Sequence, residues 1–138
     1  MEDLSLHVLD VAENSLRAGA RRITVRLLEG PSADTLALEI EDDGCGMDEE
    51  TRKQAVSPFF TGRAGRRFGL GLPLLAQAAE ATGGSLTLES APGRGTRVRV
   101  LFRPSHIDMK PIGDLEGTLR GLQAAHPEIE VVFESNLP

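Results

Sequence analysis

The sequence predicts an α+β fold, a two-layer α/β sandwich with helices packed on one face of a mixed, largely antiparallel sheet. Three observations predict it. Residues 4–18 and 70–82 carry apolar side chains at helical spacing. Two pairs of short segments, 23–28 with 36–41 and 85–90 with 97–102, alternate as strands do. The second pair is joined by the turn-forming residues Ala91, Pro92, Gly93, Arg94 and Gly95, which favours antiparallel neighbours.

In the first helix Leu4, Val8, Val11, Ala12 and Leu16 share one side, and His7, Asp10, Glu13, Asn14 and Arg17 share the other. Asp3 stands at the N-cap position and Gly19 at the stop. Gly30 and Pro31 open the loop between the first two strands. A short helix is expected to begin after Asp48 and run to about Val56. Pro58, Gly62, Gly65 and Gly69 then break the chain, so residues 57–70 read as a mobile loop. The next helix, rich in Leu and Ala, closes at Gly83 and Gly84. Beyond Pro104 the spacing predicts a helix capped by Asp114 and ended by Pro127, then a strand over residues 129–134. That terminal strand can pair within the sheet or across a homodimer.

The chain has 138 residues, 40% hydrophobic and 26% charged, which suits one soluble domain with a single core. No apolar run nears the roughly 20 residues of a membrane helix. The acidic start lacks the features of a signal peptide. A single cysteine fits a reducing compartment, so the expected location is cytoplasmic, with no membrane association. The net charge of -6 argues against a nucleic-acid partner. Arg63, Arg66 and Arg67 nevertheless cluster in the glycine-broken loop, where a cover over phosphates would need them.

Four segments carry chemistry. Asp10 and Asn14 stand one helical turn apart on the polar side of the first helix. The Asn14 carbonyl oxygen is a hard ligand of the kind Mg2+ accepts, and a carboxylate such as Asp10 can orient or deprotonate a water. Asp42, coming directly off a strand, can accept a hydrogen bond from the exocyclic amine of adenine. Gly44 and Gly46 let the backbone pass close to a flat ring. Gly69 and Gly71 precede a helix whose first amides can receive phosphate oxygens, although no Gly-Lys-Ser/Thr follows as in a Walker A loop. Thr96, after Gly95, can place a hydroxyl at the pocket floor. His7, His106 and His126 show no metal-ligand spacing and are expected to be structural or exposed.

In this order the segments resemble the GHKL superfamily, the Bergerat-fold ATP-binding domain of DNA gyrase B, the ninety-kilodalton heat-shock chaperones, sensor histidine kinases and mismatch-repair ATPases. The resemblance covers residues 4–103. Asp10 to Asn14 looks like the N box, and Asp42 to Met47 like the first glycine box. Pro58 to Thr61 looks like the opening of the ATP lid, and Gly69, Leu70, Gly71 and Leu72 like the second glycine box. The resemblance implies Asn14 on Mg2+, Asp42 on the adenine amine, Gly46 against the ring, Gly69 and Gly71 at the phosphates, and Thr96 supporting the adenine site. With Gly44, Met47, Thr61, Arg63, Leu70 and Leu72, these are the candidate nucleotide-binding residues. In hydrolysing relatives the base is a Glu at the position of Asp10, which is one methylene shorter. Glu13, the other candidate, lies about 100° around the helix from Asn14.

The resemblance therefore implies an ATP- and Mg2+-binding histidine-kinase-like ATPase domain over residues 1–103. Residues 104–138 read as a helix–strand extension packed on the same domain. Only three residues precede the N-box helix, so the expectation is a stand-alone regulatory module with slow or no hydrolysis and a protein partner. The alternative is a small kinase passing the γ-phosphate to a protein, as anti-sigma-factor kinases of the superfamily do. Leu115, Leu119 and Leu122 share one face of the extension's helix, to dock on the core or on a partner.

Overall fold

The computed structural model describes residues 3–55 and 71–137; the expected loop at 57–70 lies outside them. The elements run α1 (Leu4–Arg17), β1 (Arg22–Glu29), β2 (Leu36–Asp42), α2 (Glu49–Ala55), α3 (Gly71–Ala81), β3 (Ser85–Ser90), β4 (Thr96–Phe102), α4 (Leu115–Ala125) and β5 (Glu130–Ser135). The five strands form one mixed sheet in the order β3-β4-β2-β1-β5. Among the described residues, only the β1–β5 pair is parallel.

Strand alternation sends one set of side chains toward the helices. Ile23, Val25, Leu38, Ile40, Val98, Val100 and Phe102 are buried there beneath α1, α3 and α4. The other face carries charge. Arg26 lies 2.9 Å from Glu134, 3.1 Å from Glu41 and 3.5 Å from Glu39, while Arg97 and Arg99 approach Glu39 at 3.6 and 3.5 Å. The hydrogen bonds of Glu41 and then Glu134 raise the Arg26 guanidinium further above its ordinary pKa.

The start of α1 differs from expectation. Asp3 has the extended backbone of a cap, but its carboxylate accepts from the Ser5 hydroxyl and makes no capping bond to a helix amide. The first amides are satisfied from far along the chain: Leu4 N–H and Ser5 N–H donate to the carbonyls of Pro111 and Ile112, both at 2.9 Å. Two of α1's unpaired donors are thus closed by the segment leading into α4.

That segment is built into the same core. Asp114 caps α4 by accepting from Gly117 N–H at 3.0 Å, and Leu115, Leu119 and Leu122 are buried, with α4 against α1. The Gln123 side chain ties α4 to the start of β5, donating to the Ile129 carbonyl at 2.7 Å and accepting from Val131 N–H at 2.8 Å. The terminal strand then pairs with β1 within its own sheet, with Ile23 opposite Val131 and Val25 opposite Phe133. Among the described residues no helix is long and apolar enough to cross a membrane.

Candidate functional site

Between α1 and the strand ends of β2 and β4 lies a cleft of about 80 Å3 that opens to solvent. Its walls are Val11, Ala18, Ile40, Met47, Leu72 and Val98, and its polar groups come from Asn14, Ser15, Asp42 and Thr96. An apolar slot with a few convergent polar groups suits a flat heteroaromatic ring.

Asp42 is the last residue of β2, so its side chain emerges where the strand leaves the sheet. One carboxylate oxygen accepts from Ser15 Oγ at 2.6 Å and the other from Gly44 N–H at 2.8 Å. Each oxygen keeps a second acceptor position, so the group can still accept from an exocyclic amine. It presents no donor while ionised, and a ring carbonyl in the same place meets repulsion. The chemistry therefore favours adenine over guanine.

The backbone after Asp42 is pinned on three sides. Asp43 accepts from Arg21 N–H at 2.8 Å and Arg22 N–H at 3.0 Å. The amides of Arg22 and then Arg21 hold the Asp43 carboxyl below the usual carboxylate range. Its folded-state value is depressed, so the pin contributes stability above the unfolded carboxylate value of about 3.9 and loses it as acid protonates the folded group. Cys45 N–H donates to the Ala18 carbonyl at 2.9 Å, joining this turn to the end of α1. Gly93 N–H donates to the Cys45 carbonyl at 2.7 Å, joining it to the β3–β4 turn.

Glycine is required here for space. Gly46 has φ +72°, and a Cβ there would lie 2.0 Å from the Ala91 carbonyl oxygen. Gly44 acts from behind the cleft: its amide holds Asp42, and a Cβ would press on Ala18 at 3.0 Å. Thr96 Oγ1 lies 2.8 Å from Ser90 Oγ, which also accepts from Met47 N–H at 2.8 Å and donates to the Gly95 carbonyl at 3.0 Å.

Of the residues expected from sequence, Asn14, Asp42, Gly46, Met47, Leu72 and Thr96 line one cleft. Thr61, Arg63, Gly69 and Leu70 lie outside the described residues. Asp10 is at the neighbouring α1–α3 junction, where its carboxylate accepts from Gly71 N–H at 2.7 Å. Glu13 is exposed and does not line the cleft. Asn14 Oδ1 accepts from Arg17 Nη1 at 2.7 Å. His7, placed on the polar side of α1 by its spacing, is buried, with its Nε2 lacking a hydrogen-bond partner.

Ser15 and Ser90 belong to none of the motifs that mark the site in the sequence. Ser15 carries a detectable signal, because it continues the apolar stripe of Leu4, Val8 and Val11 and is buried with them. A hydroxyl on a core-facing stripe needs a partner. The Ser15→Ala variant is expected to cost about 1 kcal/mol of stability. It should also weaken adenine-nucleotide binding several-fold, as read by chemical denaturation and titration calorimetry. Unchanged binding would remove Ser15 from the machinery that orients Asp42.

The sandwich, the carboxylate-floored slot and the helix start beside it define a nucleotide-binding domain of the GHKL class. Residues 2–106 match the family described as histidine kinase-, DNA gyrase B-, and HSP90-like ATPase, and the chain belongs to that family. Relatives include the sensor histidine kinase YxdK of Bacillus subtilis, 36% identical over 73 residues, covering 50% of this chain and 22% of YxdK. The signal transduction histidine-protein kinase AtoS of Escherichia coli is 35% identical over 96 residues, covering 69% of this chain and 16% of AtoS. The sensor kinase CckA of Brucella abortus is 34% identical over 85 residues, covering 61% of this chain and 9% of CckA. The chain thus spans less than a quarter of the length of each of these relatives. It is a histidine-kinase-like ATP-binding domain.

Proposed function

We propose that this chain is an ATP- and Mg2+-binding regulatory domain that turns ATP over slowly or not at all, and whose nucleotide state sets its affinity for a protein partner. The observation that carries the reading is Asp42, held by Ser15 and Gly44 N–H at the floor of an apolar slot. Slow turnover is supported by Asp10, the carboxylate at the position of the family's base. It is already engaged by the Gly71 amide and is a methylene shorter than Glu.

The metal's fit rests on the donor set. Among the described residues no group of three or more His, Cys, Asp or Glu side chains is placed to hold a cation. Asn14, which carries an amide oxygen, lines the cleft. Its Oδ1 accepts from Arg17 Nη1 at 2.7 Å. A single hard ligand fits Mg2+, which is typically held by few protein oxygens with phosphates and waters completing the shell. Asn14 would hold the ion, and the ion would neutralise phosphate charge.

Phosphate release from Mg-ATP by the purified chain tests the turnover claim. The expected rate is close to that of buffer. Turnover far above buffer, abolished in Asp10→Asn, would contradict it. The names of the relatives favour one other reading, transfer of the γ-phosphate to a protein. Radiolabelled ATP distinguishes the two, because a transferase leaves label on a protein and a regulatory binder does not.

A further inference from the structure

We propose that Asp10 is a built-in competitor for the nucleotide's phosphates at the first turn of α3, so that binding ATP means displacing a resident carboxylate. The inference rests on the nucleotide reading above and goes beyond it in giving Asp10 a role before any chemistry.

Helix α3 has no acidic residue in its own first turn. The partial positive charge there is met from another helix, by the Asp10 carboxylate at 2.7 Å from Gly71 N. Reach is fixed by close packing. A Cβ on Gly71 would lie 2.8 Å from the His7 carbonyl oxygen, 3.0 Å from Val11 Cγ2 and 3.1 Å from Asp10 Cβ. Pro73, the third residue of the helix, has no N–H to offer. The donors of the first turn are therefore few, and Asp10 holds the first of them. A phosphate arriving at this turn meets a carboxylate of like charge on the amide it needs. Neutralising that carboxylate removes the like charge, though an amide oxygen can still accept from Gly71, and leaves the adenine slot as it was.

The test is titration calorimetry with adenosine, Mg-ADP and Mg-ATP on the full chain and on Asp10→Asn. Like-charge repulsion at contact distance predicts Mg-ATP binding at least about fivefold tighter in the variant. Adenosine affinity should stay within about twofold, since it carries no phosphate charge. Mg-ATP affinity unchanged or weakened in Asp10→Asn, with adenosine binding intact, would overturn the inference alone. Failure of the wild-type chain to bind adenosine or Mg-ATP would overturn the nucleotide reading and the inference with it. The Gly71 amide resonance of the wild-type chain gives a readout that needs no variant. Saturating Mg-ATP should move it, because the Asp10 carboxylate gives way to phosphate there, whereas adenosine should leave it in place. A resonance that Mg-ATP moves no more than adenosine does would also overturn the proposal.

Discussion

The Asp42→Asn variant is expected to lose ATP affinity by about 10- to 100-fold, the cost of a hydrogen bond to a charged acceptor. The carboxylate accepts from Ser15 Oγ and Gly44 N–H, and all of its remaining capacity is for donors. Asparagine keeps one acceptor oxygen and replaces the other with an NH2 group. That group faces either the Ser15 hydroxyl, which can turn to accept from it, or the Gly44 N–H, which opposes it, and in either case an acceptor position for the incoming amine is lost. The same NH2 can donate to a ring carbonyl, so the preference for ATP over GTP should narrow as ATP affinity falls. Titration with both nucleotides checks this. Equal ATP affinity in variant and wild type would mean that Asp42 does not read the base.

Gly95→Ala is expected to destabilise the fold by about 2–5 kcal/mol, combining left-handed backbone strain with overpacking. Gly95 has φ +74°, and its missing Cβ would stand 2.1 Å from the Asp42 carbonyl oxygen and 3.1 Å from Asp43 Cα. Those are backbone atoms of the turn that carries Asp42, so they cannot move aside like a flexible side chain. Gly93, two residues earlier, has φ +77° but nothing within 4 Å of a Cβ. Gly93→Ala should cost only the backbone strain, about 1–2 kcal/mol. Denaturant unfolding of both variants separates the two causes. Equal losses would mean that close approach to Asp42 contributes nothing at Gly95.

Strand alternation and helical spacing make most elements legible. The strand expected over residues 85–90 is β3, Ser85–Ser90, and Asp114 caps α4 as its spacing predicts. Period alone tells which face a side chain takes, not which strand is its neighbour. From sequence, the pairing of the terminal strand is therefore open between the sheet's own edge and a second copy. Asp3 illustrates the same limit in another form. A local cap rule assigns it the helix amides, whereas the carbonyls of Pro111 and Ile112 arrive from more than a hundred residues away and take them.

The site divides in the same way. As residues of the cleft, Asp42 and Thr96 are legible because glycines and strand ends mark their positions, and Asn14 because it stands one helical turn from Asp10. Ser15 is not, because a small polar residue beside Asn14 looks like part of a solvated face until its apolar stripe is traced. The partner of Asp10, the Gly71 amide, is invisible to any local pattern because α1 and α3 meet only in the fold.

The most direct measurement is thermal unfolding of the chain with Mg-ATP, Mg-ADP and Mg-GTP. A nucleotide at about 100 times its Kd should add roughly 2.7 kcal/mol and raise the midpoint visibly. The account predicts a rise with both adenine nucleotides and little with Mg-GTP. No rise with any nucleotide, or an equal rise with Mg-GTP, would contradict a cleft in which Asp42 reads adenine.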